Sequence, residues 1–397
     1  MTVGIRNFPK QVLDALARSV RAVKALRGQP DGFVATDQTG YAVPEQLGSG
    51  SPSSTTVLRG DQTWGSSATS IPDDDYFDIE ISGGGTIYTV ESYGDVIVVP
   101  VGDDLQDVID TFSGGAHVIQ LGRGDYYGDS GSPSTPITIP NTAGNVQIKG
   151  LGVDDTTILS PILCETGRFG LVDVAVKPDG TAYGVKIFKS GSFTSRCYFE
   201  RAWIGASSSG AGDGPVLGLV LDGAGVLLAS NLTIAFCTSH GLLVDSTAAE
   251  PNTTLKFDMC SFVQNEGYGI RLLNACSIAE FNGGNSEGNV SGEAYAESVN
   301  NVRFRDFDFE SFTETFDQQV HLVSCNPVLF DNCSFSATGA NVTRAVLGQS
   351  VGGCHMFSNR FAGWTDVGII RMDSASSLCH IHDNIISDGC WVEDYSR

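Results

Sequence analysis

The 397-residue sequence predicts a mainly β fold, a right-handed, single-stranded parallel β-helix, on three observations. Pairs of alternating apolar residues return at loosely regular spacing from about residue 145 onward. Charged residues make up only 17% of the chain. Glycine reaches 48 residues among many Ser, Thr and Asn, a composition that suits short strands and tight turns better than helices.

The repeat carries most of the weight. The inward pairs read Val146/Ile148, Cys197/Phe199, Leu232/Ile234 and Leu255/Phe257, then a weaker Ser277/Ala279. They continue as Val302/Phe304, Val328/Phe330, Cys354/Met356 and Cys379/Ile381. A second series, Cys237, Cys260, Asn282, Phe307, Cys333, Asn359 and Asn384, is spaced by 23, 22, 25, 26, 26 and 25 residues. Two residues beyond it stand Phe262, Phe309, Phe335, Phe361 and Ile386. A period near 25 residues is one coil of a solenoid, and stacked coils place like residues about 4.8 Å apart. Most cysteines then fill inward stack positions as small apolar thiols, not disulfides. The right hand follows from the handedness of parallel crossovers. The Gly/Ser-rich run 205–215 lengthens one coil and reads as a protruding loop.

The remaining segments divide the chain. Residues 9–27 carry Leu13, Leu16, Val20 and Val23 at helical spacing after Pro9 and before Gly28. That pattern fits a short coiled-coil seam and equally an amphipathic helix packed on its own domain. Six Lys or Arg against Asp14 give residues 1–27 a net charge of +5, so the rest carries −28 of the total −23. A basic head on an acidic body implies two different partners. Residues 28–72 read as loop and linker, 73–102 as a short β neck, and 103–397 as the solenoid opened by a helix at 103–112.

Several function classes are disfavoured. The acidic balance argues against general nucleic-acid or anionic-membrane binding. No CxxC pair points to a zinc ribbon, and no run of about 20 apolar residues predicts a membrane span. The N-terminus lacks a signal-peptide pattern, so synthesis in a reducing cytoplasm is expected.

Two stretches resemble known families. Residues 51–64 read SPSSTTVLRGDQTW and resemble an element found in phage tail-fibre and tailspike proteins near their junction with the virion, departing from it at Val57 and Gln62. The helix at 103–112, then Gly114-Gly115, Val118–Leu121 and the run 137–152 resemble the opening of pectate-lyase-like β-helices, where the helix plugs the first coil. The resemblance implies a phage tailspike: a homotrimer in the virion tail that docks on tail or adaptor proteins through residues 1–72 and binds a host surface polysaccharide. Depolymerisation of that polysaccharide, by a glycoside hydrolase (endoglycosidase) or a lyase, stays open beside a non-catalytic adhesion spike and a secreted lyase or hydrolase. No cofactor, metal, nucleic acid or membrane insertion is expected.

Candidate site residues come from the outward positions: Lys256/Asp258, Ile278/Glu280, Arg303/Arg305, Leu329/Asp331, His355/Phe357 and His380/His382, with Asp306, Asp308 and Glu310 beside them. Glycoside hydrolysis needs an acid and a base or nucleophile within several ångströms. Glu280, Asp306 and Asp308 are the catalytic candidates. Asp258, Arg303, Arg305, Glu310, Asp331, Phe357 and His382 are the glycan-binding candidates. The same residues equally fit a solvated face on which charges alternate in sign to avoid like-charge stacking. His355, His380 and His382 share a face without calling for a metal.

Overall fold

The structure is a computed structural model, and it describes strands 56–58, 64–66, 77–81 and 87–91 and most of residues 95–395. Within the latter, 130–131, 133, 166–167, 189–195, 207, 209–212, 246–251, 275, 313–314, 339–340, 365–367 and 387–389 lie outside the description. The helix expected at 9–27 and part of the loop at 205–215 also lie outside the described residues.

Contacts divide the chain into two units, Met1–Asp78 and Ile79–Arg397. In the first, Thr56–Leu58 pairs antiparallel with Trp64–Ser66, setting Leu58 opposite Trp64. Phe77–Ile81 and Ile87–Glu91 form a separate two-stranded sheet.

The second unit is a parallel β-solenoid. Each full coil has three strands, as in Asn300–Arg305, Asp308–Ser311 and Thr315–Val323. First and second strands stack into one 21-stranded ladder, and third strands into an 11-stranded sheet. Between the ladder strands Asp95–Val99 and Ala116–Leu121 lies the helix Leu105–Ile109, whose Leu105 and Ile109 are fully buried in the common core. Gln106 fixes it there: its Oε1 accepts the Thr138 amide at 2.7 Å. These apolar side chains cover an interior that would otherwise meet water.

The core is a set of columns. Phe257, Phe281, Phe304 and Phe330 stack face to face with centroids 4.9, 4.9 and 5.3 Å apart. Phe309, Phe335 and Phe361 form a parallel column at 4.8 and 4.6 Å. Stacked rings contribute roughly 0.5–1.5 kcal/mol per pair beyond their burial. The column structure corrects the sequence alignment in two coils. Leu227 and Ala229, not Leu232 and Ile234, lie in register with Cys197/Phe199 and Leu255/Phe257. Leu232 and Ile234 are buried one strand further on, where Ile234 faces Phe262. In the weak coil the register is Ala279/Phe281, two residues later than expected, and Ser277 is exposed.

The Cys/Asn series also belongs to two corners, not one. Asn359 lies between Cys333 and Asn384: its Oδ1 accepts the Cys333 amide at 2.8 Å, and its own amide donates to Asn384 Oδ1 at 2.9 Å. Cys237 belongs to another corner, where its amide donates to Asn265 Oδ1 at 3.1 Å and the Asn265 amide to Asn289 Oδ1 at 3.0 Å. Asn282 is in register with Asp258 on the outside, and Gly284 takes the place assigned to it, opposite Cys260.

First and second strands meet at a sharp bend made by one left-handed residue per coil: Asp173, Arg201, Asn231, Met259, Gly283, Asp306, Asn332, Ser358 and Asp383, all with φ between 46° and 64°. Five of these are Asp or Asn, and one is Gly, residue types that visit this region at low cost. The bend separates two outward strips, and the candidate residues lie on both.

Candidate functional site

On the first-strand strip one column runs Lys256, Glu280, Arg303, Leu329, His355 and His380. The next runs Asp258, Asn282, Arg305, Asp331, Phe357 and His382. Glu280 therefore stands one column away from its expected place beside Asp258. Its carboxylate is held between Arg303 Nη1 at 2.9 Å and Lys256 Nζ at 3.3 Å. Asp258 Oδ1 accepts from Asn282 Nδ2 at 2.9 Å. Further along, Phe357 stacks on His382 at 5.8 Å and His355 on His380 at 5.0 Å. Among the described residues no group of three or more His, Cys, Asp or Glu is placed to hold a metal.

Asp306 occupies the bend itself and is exposed; its Oδ1 accepts from Asn332 Nδ2 at 2.6 Å. Glu280 is in register with Arg303, three residues before Asp306, so the register does not pair Glu280 with Asp306.

The second-strand strip behaves differently. Asp308 and Glu310 project from alternate positions of Asp308–Ser311, with Phe309 buried between them. Two residues of strand separate their Cα atoms by roughly 6.6 Å. Across the coil boundary Asn285 faces Asp308 and Glu287 faces Glu310, about 4.8 Å away along the stack. On the following coil the neighbours are Ser334 and Ser336. Three carboxylates thus sit together: Glu287, Asp308 and Glu310. Burial, and then the negative charges of Asp308 and Glu287, push the Glu310 carboxyl above its ordinary value. Asp308 Oδ1 is buried and accepts no hydrogen bond among the described residues. Glu287 Oε2 accepts from Asn285 Nδ2 at 2.7 Å. Chemically this is one carboxyl inclined to keep its proton beside one with an unused oxygen, the division of labour that acid–base cleavage requires.

Glu287 did not enter the sequence reading, because it closes a 12-residue strand, Cys276–Glu287, in the coil whose register was misplaced. A second recess, of about 360 Å³, was equally invisible. It lies earlier on the same strip and is lined by Asp154, Asp155, Asp173, Arg201, Trp203 and Asn231. Arg201 there grips Asp173 with Nε and Nη2 at 2.5 and 2.8 Å, which holds the Asp173 carboxyl below its ordinary value.

The family model for the right-handed β-helix region matches residues 217–386. The solenoid of the second unit is a right-handed β-helix. A protein of Geobacillus virus E2, ORF18, shares the fold at TM-score 0.51 and 14% identity, over 81% of this chain and 66% of that one. This β-helix therefore spans about two thirds of the viral protein's length. Tailspike protein 2 of Escherichia coli O157:H7 bacteriophage CAB120 aligns at TM-score 0.42 and 12% identity, over 79% and 49% of the two chains. The A-module of Azotobacter vinelandii mannuronan C-5 epimerase AlgE6 aligns at TM-score 0.40 and 17% identity, over 74% and 96%. No curated protein matches the sequence.

Proposed function

We propose that the β-helix binds a host surface polysaccharide and hydrolyses its glycosidic bonds at Asp308 and Glu310, as the body of a phage tail spike. The raised Glu310 carboxyl beside Asp308 carries the catalytic part of this reading. Glu310 would donate its proton to the leaving oxygen, and Asp308 would act as base or nucleophile. The roughly 6.6 Å between their Cα atoms admits carboxylate separations of either the retaining or the inverting kind. The strip around them offers what an extended sugar chain needs: Asn285, Ser334 and Ser336 as hydrogen-bonding neighbours on adjoining coils. Asp258, Arg303, Arg305, Asp331, Phe357 and His382 would flank the polymer across the bend.

Residues 51–64 support the tail assignment, through their resemblance to the virion-proximal element of tail fibres. In this reading residues 1–72 dock on tail or adaptor proteins, three copies form the spike, and the virion tail is its location.

A specific observation favours a second reading, a spike that adheres without cutting. Two of the three catalytic candidates, Glu280 and Asp306, are engaged by Arg303, Lys256 and Asn332 in the manner of structural groups.

One experiment separates the two. Purified protein is incubated with polysaccharide extracted from candidate host cells, followed by size-exclusion chromatography and a reducing-end assay. Shortened chains with new reducing ends establish the hydrolase. Binding at constant polymer length establishes the adhesin, and neither result across several hosts removes the polysaccharide reading.

A further inference from the structure

The exterior of the 11-stranded sheet carries a third arrangement, far in chemistry from the acidic strip. Arg271, Tyr295 and His321 occupy one outward column on successive coils. Tyr268 and His240 stand beside its start. The rings approach one another in sequence, His240 to Tyr268 at 5.8 Å, Tyr268 to Tyr295 at 5.4 Å and Tyr295 to His321 at 5.3 Å. The Arg271 guanidinium lies 5.8 Å over Tyr295, and its Nη1 is 2.8 Å from His240 Nε2.

Arg271 is placed differently from the cations that are held in ion pairs. Arg123, Lys186, Arg201, Lys256, Arg303 and Arg371 each meet a carboxylate. Arg271 forms no ion pair among the described residues, and its Nε is buried without a hydrogen-bond partner. The nearby Glu297 is engaged by the Tyr295 hydroxyl, which donates to it at 2.8 Å. His240 is held neutral, its pKa lowered to about 4 by burial and then by Arg271. The positive charge is thus neither cancelled nor doubled by its surroundings. A guanidinium set among aromatic rings and lacking an internal anion suits a carboxylate from outside, taken by two parallel N–H···O bonds. The rings supply apolar edges against which the carbon face of a sugar packs.

We propose that His240, Tyr268, Arg271, Tyr295 and His321 form a separate binding site for a carboxylate-bearing sugar, a hexuronate unit of an acidic polysaccharide. This rests on the reading of the ligand as a polysaccharide, but not on the hydrolytic pair. It places uronate recognition on a face that takes no part in cleavage.

Calorimetric titration of the full chain with trigalacturonate, against neutral maltotriose, tests it. Trigalacturonate is expected to bind at least tenfold more tightly than maltotriose and to weaken as salt is raised. Arg271→Gln should lose tenfold or more in affinity, and Arg271→Lys should lose less, while both keep the thermal midpoint of the parent. Arg123→Gln, which removes an equal charge from an exposed residue outside the site, should leave the affinity unchanged. Equal binding of acidic and neutral sugars, no trigalacturonate binding, or an undisturbed Arg271→Gln overturns the proposal. So does an Arg271→Gln variant that changes sedimentation instead of sugar affinity, which would assign the face to contact between copies. If host polysaccharide is cut while trigalacturonate fails to bind, only this site falls; if trigalacturonate binds and host polymer is untouched, only the hydrolase falls.

Discussion

Glu280 and Arg303 are joined across neighbouring coils, Oε1 to Nη1 at 2.9 Å, and Lys256 closes the clamp from the other side. The clamp makes Glu280 a structural residue whose removal leaves two cations facing each other. Glu280→Gln is expected to keep full cleavage and binding while losing about 1 kcal/mol of stability, within the range of partly exposed ion pairs. Urea unfolding beside the reducing-end assay measures both; a hundredfold loss of cleavage at unchanged stability would return Glu280 to the active pair.

Asp308→Asn and Glu310→Gln are each expected to lower cleavage by about 10²–10⁴-fold, the usual worth of a positioned acid or base. The pH dependence has a definite sign. Glu310 must be protonated to donate, so the rate falls as pH rises through its folded pKa, which lies above the ordinary 4.5. Asp308→Asn removes one of the charges that raise it, so the residual activity should fall off at lower pH than in the parent. A rate profile from pH 4 to 9 reads both effects.

The same shift has a cost in stability. The folded chain holds the Glu310 proton more tightly than the unfolded chain does. Its contribution is therefore present at low pH and lost as pH rises through the folded pKa. Glu310→Gln should melt higher than the parent at pH 7 and close to it at pH 4. Thermal scans at the two pH values check this, and an equal shift at both would show that packing, not charge, is responsible.

Asn359 is fully buried and satisfies two main-chain groups, the Cys333 amide and the Phe330 carbonyl, at 2.8 and 3.1 Å. Asn359→Ala orphans both inside the core, and buried unpaired groups cost about 1–3 kcal/mol each. A loss of about 3 kcal/mol is expected in urea unfolding, with a smaller loss for the more exposed Asn384→Ala.

Met259 holds the left-handed bend position with φ 54° and is 63% exposed. A non-glycine residue there costs roughly 1–2 kcal/mol, and Asn tolerates it better. Met259→Asn should raise stability by about 0.5–1 kcal/mol, read as a higher melting midpoint. Gly283→Ala should lower it, because the new Cβ would stand 2.5 Å from Met259 Sδ at a φ of 64°.

Much of the fold was legible because columns repeat. From Val302 to Ile381 the inward pairs fall where their spacing put them, since strands of similar length follow bends of similar length. Two coils escaped. Ser277, Ala279 and Phe281 alternate with one parity, so a period of two fixes the face but not the phase, and the reading slipped by two residues. That slip kept Glu280 outside but moved it from the Arg303 column to the Arg305 column. Between Phe199 and Leu255 both Leu227/Ala229 and Leu232/Ile234 offer apolar alternation, and only cross-coil pairing selects the former. Asp308 and Glu310 were visible as acidic residues on one strand. Their partner Glu287 was hidden by the slipped coil, and the isolation of Arg271 depends on which carboxylates other cations claim, a property no linear pattern records.

Every coil presents the same set of stacking positions to the coil before and after it, and contacts reach little further than those neighbours. Tandem duplication or loss of one coil's length of coding sequence would leave the surviving columns meeting like with like. The solenoid can thus lengthen or shorten in units of one coil, about 4.8 Å of outer surface at a time. If the proposed polysaccharide reading holds, such a ruler would let evolution adjust how many sugars are gripped without redesigning the chemistry that grips them.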